Sequence, residues 1–170
     1  GVGGLCCGTP WKSKGRKAGY AAMAARVLPA LLDATEGGRL PVVCEAASCA
    51  EGLTQMVAAG TADPTGTAYP QIRVVDATAW VAENLLERLP VTAPSGPVVV
   101  HPTCSSTHLG TTEAMLRVAR HVSDDVTVPI AWGCCGFAGD RGLLHPELTA
   151  SATAPEAAEV AEREYRSEER

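Results

Sequence analysis

No apolar run in this chain reaches the ~18 residues that a membrane span needs, and no basic–apolar–small order of a signal peptide is present. Positive charge is in short supply. Lys and Arg number 14 against 19 Asp and Glu, a formal net charge of -5, which argues against nucleic acid or an anionic membrane as the main partner. There is no C-x-x-C, so a thiol-redox module lacks its usual signature. The glycine-rich stretch GFAGDRG (136–142) lacks the strand–GxGxxG–helix order of a nucleotide loop. No set of nucleophile, base and orienting group can be picked out, so no complete active site is expected. The cysteines number 7, and an odd count excludes a fully paired intrachain disulfide set.

What remains is a chain of 170 residues, 46% hydrophobic, which fits one domain with a real core. It opens on Gly1 and almost at once on a motif, so we expect a piece of a longer polypeptide. The thiols suggest a reducing, cytoplasmic setting in which they face a metal or do redox work.

Apolar spacing predicts a helix over 17–32, broken or kinked at Pro29, and GlyGly at 37–38 ends it. LPVVC (40–44), IRVVD (72–76), PVVVH (97–101) and VTVPIAW (126–132) read as strands, the last carrying Pro129. Helices are expected from Ser48, as N-cap, to about Ala59, over 78–89, over about 107–122 and over 155–166, with Pro155 in the first turn of the last. Segments 60–70 and 92–96 read as surface loops, 133–145 as glycine-rich loop, and the final SEER as frayed. Strands alternating with helices predict an α/β fold, a mainly parallel sheet flanked by helices.

Cys49, Cys104 and the pair Cys134–Cys135 each follow a predicted strand. Parallel sheets gather ligands at the carboxyl ends of their strands, so these thiols are expected at one edge of one sheet. A helix N-terminus next to Cys49 and Cys104 is expected to lower their pKa and favour thiolate. Cys-Cys-Gly occurs twice, at 6–8 and 134–136. Gly8 and Gly136 let the backbone turn tightly and leave N–H groups and space near sulfur. Thiolates in such numbers suit an iron–sulfur cluster; zinc stays open, although adjacent pairs do not match the spacing of zinc knuckles. Cys44, inside an apolar strand, reads as a small buried hydrophobe. His101 reads as a structural histidine or as a ligand or proton carrier, and His145 as a turn residue. Lys12, Lys14, Arg16 and Lys17 form a basic cluster that balances an anionic cluster, docks an acidic partner, or simply solvates a helix start.

LCCGTPWKSKG, VVCEAASCAEGL, VVVHPTCSSTHLG and GCCGFAGDRGLLHPEL together resemble the CCG-type cysteine-rich domain over nearly the whole chain. The likeness is to the C-terminal part of FAD-linked oxidoreductases of the D-lactate dehydrogenase type, with related domains in glycolate oxidase iron–sulfur subunits, lactate-utilisation proteins and heterodisulfide reductases. The resemblance implies an α/β fold with internal duplication, part of a first repeat at 1–70 and of a second at 97–170. It also implies a 4Fe-4S cluster and electron transfer from FAD held outside this chain, with flavin and ferredoxin-like domains of the parent as partners. On that basis Cys6, Cys7 and Cys49 belong to the first repeat as metal ligands, and Cys104, Cys134 and Cys135 to the second, with Gly8 and Gly136 lining the cofactor. The chain departs from the pattern at three places: the first repeat lacks its upstream cysteine, the second its terminal one, and Ala46 stands where a C-x-x-C ending at Cys49 would begin. The implied location is cytoplasmic or peripheral at the inner face of the membrane. The competing reading is a scaffold or protein-docking domain with zinc or no metal.

Overall fold

A computed structural model describes residues 4–59, 69–93 and 95–163. The tail SEER, nearly all of the expected loop 60–70 and part of the loop 92–96 lie outside the described residues. The chain divides into two compact units, Gly1–Ala77 and Thr78–Arg170. Both are α/β, and each contains one parallel strand pair flanked by helices.

The first unit runs α1 (Thr9–Ser13), α2 (Lys17–Ala34), β1 (Val42–Cys44), α3 (Ala47–Ala59) and β2 (Val74–Asp76). The strands pair in parallel with Val42 opposite Val74 and Cys44 opposite Asp76. A parallel pair needs a crossover, and α3 supplies it. The core is Val27, Leu28 and Leu31 of α2 against Ala50, Leu53 and Met56 of α3, all buried. Pro29 does not break α2, because the ring sits on the exposed side of the helix and the buried Leu28 and Leu31 on either side carry the packing. Ser48 lies inside α3 and not at its cap.

The second unit runs α4 (Ala77–Asn84, starting one residue before the division), a 3-10 turn (Leu86–Arg88), β3 (Val98–Val99), α5 (Cys104–His108), α6 (Thr112–Val122), β4 (Val126–Thr127), α7 (Arg141–Leu144) and α8 (Pro146–Glu162). β3 and β4 are parallel, with Val98 opposite Val126 and Val99 opposite Thr127. Several expectations change here. The helix expected over 78–89 ends at Asn84 and is followed by the 3-10 turn, and the loop expected over 133–145 holds α7. The helix expected over 107–122 is two helices, separated at Gly110, whose φ of 70° ends the first. The strand expected over 126–132 stops at Thr127, since Pro129 cannot donate to a ladder. The final helix starts at Pro146, and Pro155 lies within it.

The strands therefore make two separate pairs rather than one sheet, and each pair carries its own thiols beyond its strand ends. Among the described residues no helix is long and apolar enough to cross a membrane.

Two thiol sets as the candidate functional site

In the first unit, Cys6 and Cys7 lead into Gly8, which turns with φ 78°. The Gly8 carbonyl then accepts from Trp11 N and Lys12 N, both at 3.0 Å, and starts α1. A side chain at Gly8 would not fit: its Cβ would lie 2.6 Å from Met56 Cε and 2.8 Å from the Tyr20 ring. Helix α3 crosses close by at Gly52, where a Cβ would stand 3.5 Å from Cys7 Sγ and far inside the Thr9 hydroxyl. Cys49, Gly52 and Met56 are spaced three and four residues apart, so they share the face of α3 that covers the Cys-Cys-Gly turn. A Cys7 thiolate is stabilised by the Cys49 thiol, and Cys44, buried at the end of β1, feels the charge of Cys7 and raises Cys49 through its own. Cys44 is buried in its apolar strand, as expected, and is linked to the set through charge alone.

The electrostatics single out Cys7. Burial raises its thiol, but hydrogen bonds from the Thr9 hydroxyl, the Thr9 backbone and the thiols of Cys49 and Cys6 outweigh that and bring its pKa below the ordinary thiol value. Cys7 Sγ is 3.3 Å from Thr9 Oγ1, a partner that spacing alone did not reveal. Cys49 moves the other way, to about 11, through burial, its bond to Cys7 and the charges of Cys7, Cys44 and Cys6. Cys44 is raised by burial and then by the charges of Cys7 and Asp76. The Tyr20 hydroxyl is buried with no partner among the described residues, and burial and the Cys7 charge raise its pKa.

In the second unit, Thr103 caps α5 by accepting from Ser106 N at 3.1 Å, which places Cys104 as the first helical residue. Cys104 Sγ lies 3.9 Å from Cys134 Sγ, and both are exposed, with Cys135 half-buried beside them in the chain. Donation of its proton to Cys134 is the main reason the Cys104 thiol is raised, followed by burial and the charges of Cys134 and Cys135; its own backbone N–H lowers it least. The expected lowering of Cys49 and Cys104 by helix N-termini is therefore reversed, at Cys49 by burial first and then by its bond to Cys7, and at Cys104 by its bond to Cys134 first. Gly136 turns with φ 69°, as Gly8 does, and donates its N–H to Cys134 Sγ at 3.4 Å. Its missing Cβ leaves room for α8: a Cβ there would stand 3.0 Å from Leu148 O and 3.1 Å from Ala152 Cβ.

Helix α8 also fastens both loops that carry these thiols. The Glu156 carboxylate accepts from His101 Nδ1, with both oxygens at 2.8 Å. Glu159 accepts from Ile130 N at 3.0 Å and Ala131 N at 2.8 Å, donors that Pro129 leaves without a strand. Those two bonds hold its carboxyl below the usual carboxylate range. Trp132 Nε1 donates to Pro102 O at 2.8 Å and joins the two loops. The result is a closed ring: Glu156, His101, Pro102, Trp132, the 130–131 backbone, Glu159. His101 therefore has the structural partner that one of its two readings required. His145 pairs with Glu147 at the start of α8, as a turn residue would.

The first set predicts unequal reactivity of its own thiols in the metal-free chain. Alkylation at about pH 8 should modify Cys7 well before Cys49, since only thiolate reacts. Thr9→Val removes the hydroxyl that favours the Cys7 thiolate, and should slow Cys7 by up to about tenfold, one pKa unit's worth. Peptide mapping of the alkylated chain reads both; equal rates at Cys7 and Cys49 would contradict the assignment.

Cys6, Cys7, Cys44 and Cys49 fall in the first unit and Cys104, Cys134 and Cys135 in the second, and the unpartnered buried hydroxyl of Tyr20 stands beside the first set. Donor chemistry of this kind fits an iron–sulfur cluster. Among the described residues no three of His, Cys, Asp and Glu stand close enough to hold a metal ion.

No protein-family model matches the chain, and no solved structure matches it. It is similar to Lactate utilization protein A of Oceanobacillus iheyensis, with 27% identity over 151 residues, 85% of this chain. The chain spans 59% of the length of that relative.

Proposed function

We propose that the chain is an electron-transfer module of lactate metabolism, holding a 4Fe-4S type cluster on cysteine thiolates. The observation that carries this reading is the repeated turn: each unit has a Cys-Cys-Gly with left-handed glycine and a further cysteine brought against the pair from another element. The name of the similar protein supplies the metabolic context. When bound, the cluster supplies one-electron chemistry. Cys6, Cys7 and Cys49 would hold it in the first unit, and Cys104, Cys134 and Cys135 in the second. The chain's own contribution is to ready the thiolates and tune them: Thr9 favours charge on Cys7, and the Gly136 N–H points at the Cys134 sulfur. We place the flavin that feeds it in a separate domain of the parent enzyme, a FAD-linked 2-hydroxy-acid oxidoreductase, and the whole in a reducing, cytoplasmic setting.

A second reading, a scaffold with no metal, is favoured by one observation: the absence of any three-donor site for a single ion among the described residues. Anaerobic reconstitution separates the two. The electron-transfer reading expects iron and acid-labile sulfide in similar amounts, broad visible absorption, and loss of both on replacing Cys7 and Cys134 with serine. A colourless, iron-free chain after that treatment leaves the scaffold.

A further inference from the structure

Beside the first thiol set lies a basic surface. The first 32 residues hold five of the 14 basic residues and none of the 19 acidic ones, although the chain as a whole is at -5. Four of the five, Lys12, Lys14, Arg16 and Lys17, fall on the short turn between α1 and the start of α2, and all four are exposed. Gly15 makes that turn at φ 66°, and Arg16 N donates back to Trp11 O at 2.9 Å, so the hairpin is a defined shape. Among the described residues no carboxylate pairs with Lys12, Arg16 or Lys17; Lys12 is instead steadied by Gln55 Oε1 at 2.6 Å. Trp11 lies over Gly19, which has no side chain to lift it, and keeps 38% of its surface exposed. The Lys12 N–H that closes the Gly8 turn ties this face to Cys7 within a few residues.

Cations set side by side repel one another, and Lys12, Arg16 and Lys17 have no carboxylate partner among the described residues to offset this. Trp11 and Arg16 are residue types enriched at protein interfaces, and the lysines beside them supply long-range attraction. We infer that this face, Trp11 with Lys12, Lys14, Arg16 and Lys17, docks the acidic surface of a small one-electron carrier protein and brings it to the Cys6–Cys7 end of the module. The inference rests on the electron-transfer reading for the carrier's identity, while the charge complementarity stands without it. The exchange moves one electron and makes or breaks no bond. Complementary charge of this kind speeds encounter and weakens with salt.

The test uses a plant-type [2Fe–2S] ferredoxin, an acidic one-electron carrier, titrated against the whole chain by calorimetry, with and without reconstituted cluster. Binding should fall steeply as salt rises. The triple variant K14E/R16E/K17E should weaken it by at least about tenfold, and R26E/R73E/R88E, with the same change in net charge elsewhere, by less than about threefold. Equal loss in both triples, or no binding in the unsubstituted chain at low salt, overturns the proposal. So does tighter binding to vesicles of equal parts phosphatidylglycerol and phosphatidylcholine than to ferredoxin, which would make the face a membrane contact. Binding that persists in a chain unable to take up iron would sink the electron-transfer reading and leave the docking face standing. Iron uptake without binding would do the reverse.

Discussion

Replacing Gly8 by alanine is expected to cost about 2–5 kcal/mol of folding stability, a large part of what a domain of this size has. Two independent effects add. A residue with a side chain at φ 78° sits in the left-handed region, at a cost of about 1–2 kcal/mol. The new Cβ would also lie 2.6 Å from Met56 Cε and 2.8–2.9 Å from Tyr20 ring carbons. Met56 is flexible but only 1% exposed, and the Tyr20 ring is held with its hydroxyl buried, so neither neighbour can step aside into solvent. Overpacking of this kind costs about 1–3 kcal/mol. Two further glycines separate the contributions. Gly15 has φ 66° and open space around its missing Cβ, so Gly15→Ala should show the backbone cost alone, about 1–2 kcal/mol. Gly136 has φ 69° and contacts of 3.0–3.1 Å, so Gly136→Ala should fall between. Urea unfolding midpoints at constant slope give the ranking. If Gly15→Ala costs as much as Gly8→Ala, packing at the first Cys-Cys-Gly turn is not what the glycine serves.

That glycine is also a measure of how far the sequence could be read. The repeated Cys-Cys-Gly and the four strand segments were visible because each is a local signal: adjacent residue types, or a short β-branched run. The partition of the strands into two pairs was not, since pairing joins segments about 30 residues apart and no periodicity records which strand chooses which. The start of α8 was hidden for another reason. ELTASATA has helix-compatible residues but few large apolar ones, so the only apparent signal was Pro155, which marks the middle of the helix and not its first turn. The pKa directions at Cys49 and Cys104 failed because a helix terminus is a local feature, whereas what decides them is tertiary: at Cys49 burial and then a thiol 42 residues away, at Cys104 a thiol 30 residues away. Thr9 could have been found: a hydroxyl two residues from Cys7 across a tight glycine turn is within reach of its sulfur.

Breaking the ring around the second thiol set should have the other large effect. Glu156 is a carboxylate 8% exposed, and its side chain meets His101 with side-chain exposures of 11% and 31%. Glu156→Leu leaves the Nδ1–H of His101 without an acceptor, and hydrogen bonds to charged groups are worth about 1.5–3 kcal/mol, so a loss of that order is expected. Glu156→Gln retains an acceptor oxygen and should recover most of it. A merely structural role predicts nothing more. The ring predicts two further results. Trp132→Phe removes the Pro102 bond on the opposite arc, and the double variant with Glu156→Leu should show a coupling of at least about 0.5 kcal/mol, because the ring is already open after either change. The same opening should separate Cys104 from Cys134, now 3.9 Å apart. Under oxidised glutathione, the disulfide between them forms by attack of one thiolate on the mixed disulfide of the other, which releases glutathione. Its rate in the metal-free chain should fall about tenfold in Glu156→Leu, equivalent to about 1.4 kcal/mol of lost alignment, and stay near that of the unsubstituted chain in Glu156→Gln. Alkylation of Cys7, in the other unit, serves as the internal control and should not change. A Glu156→Leu chain that is destabilised yet joins Cys104 to Cys134 at the original rate would show that α8 supports the fold without setting the thiols.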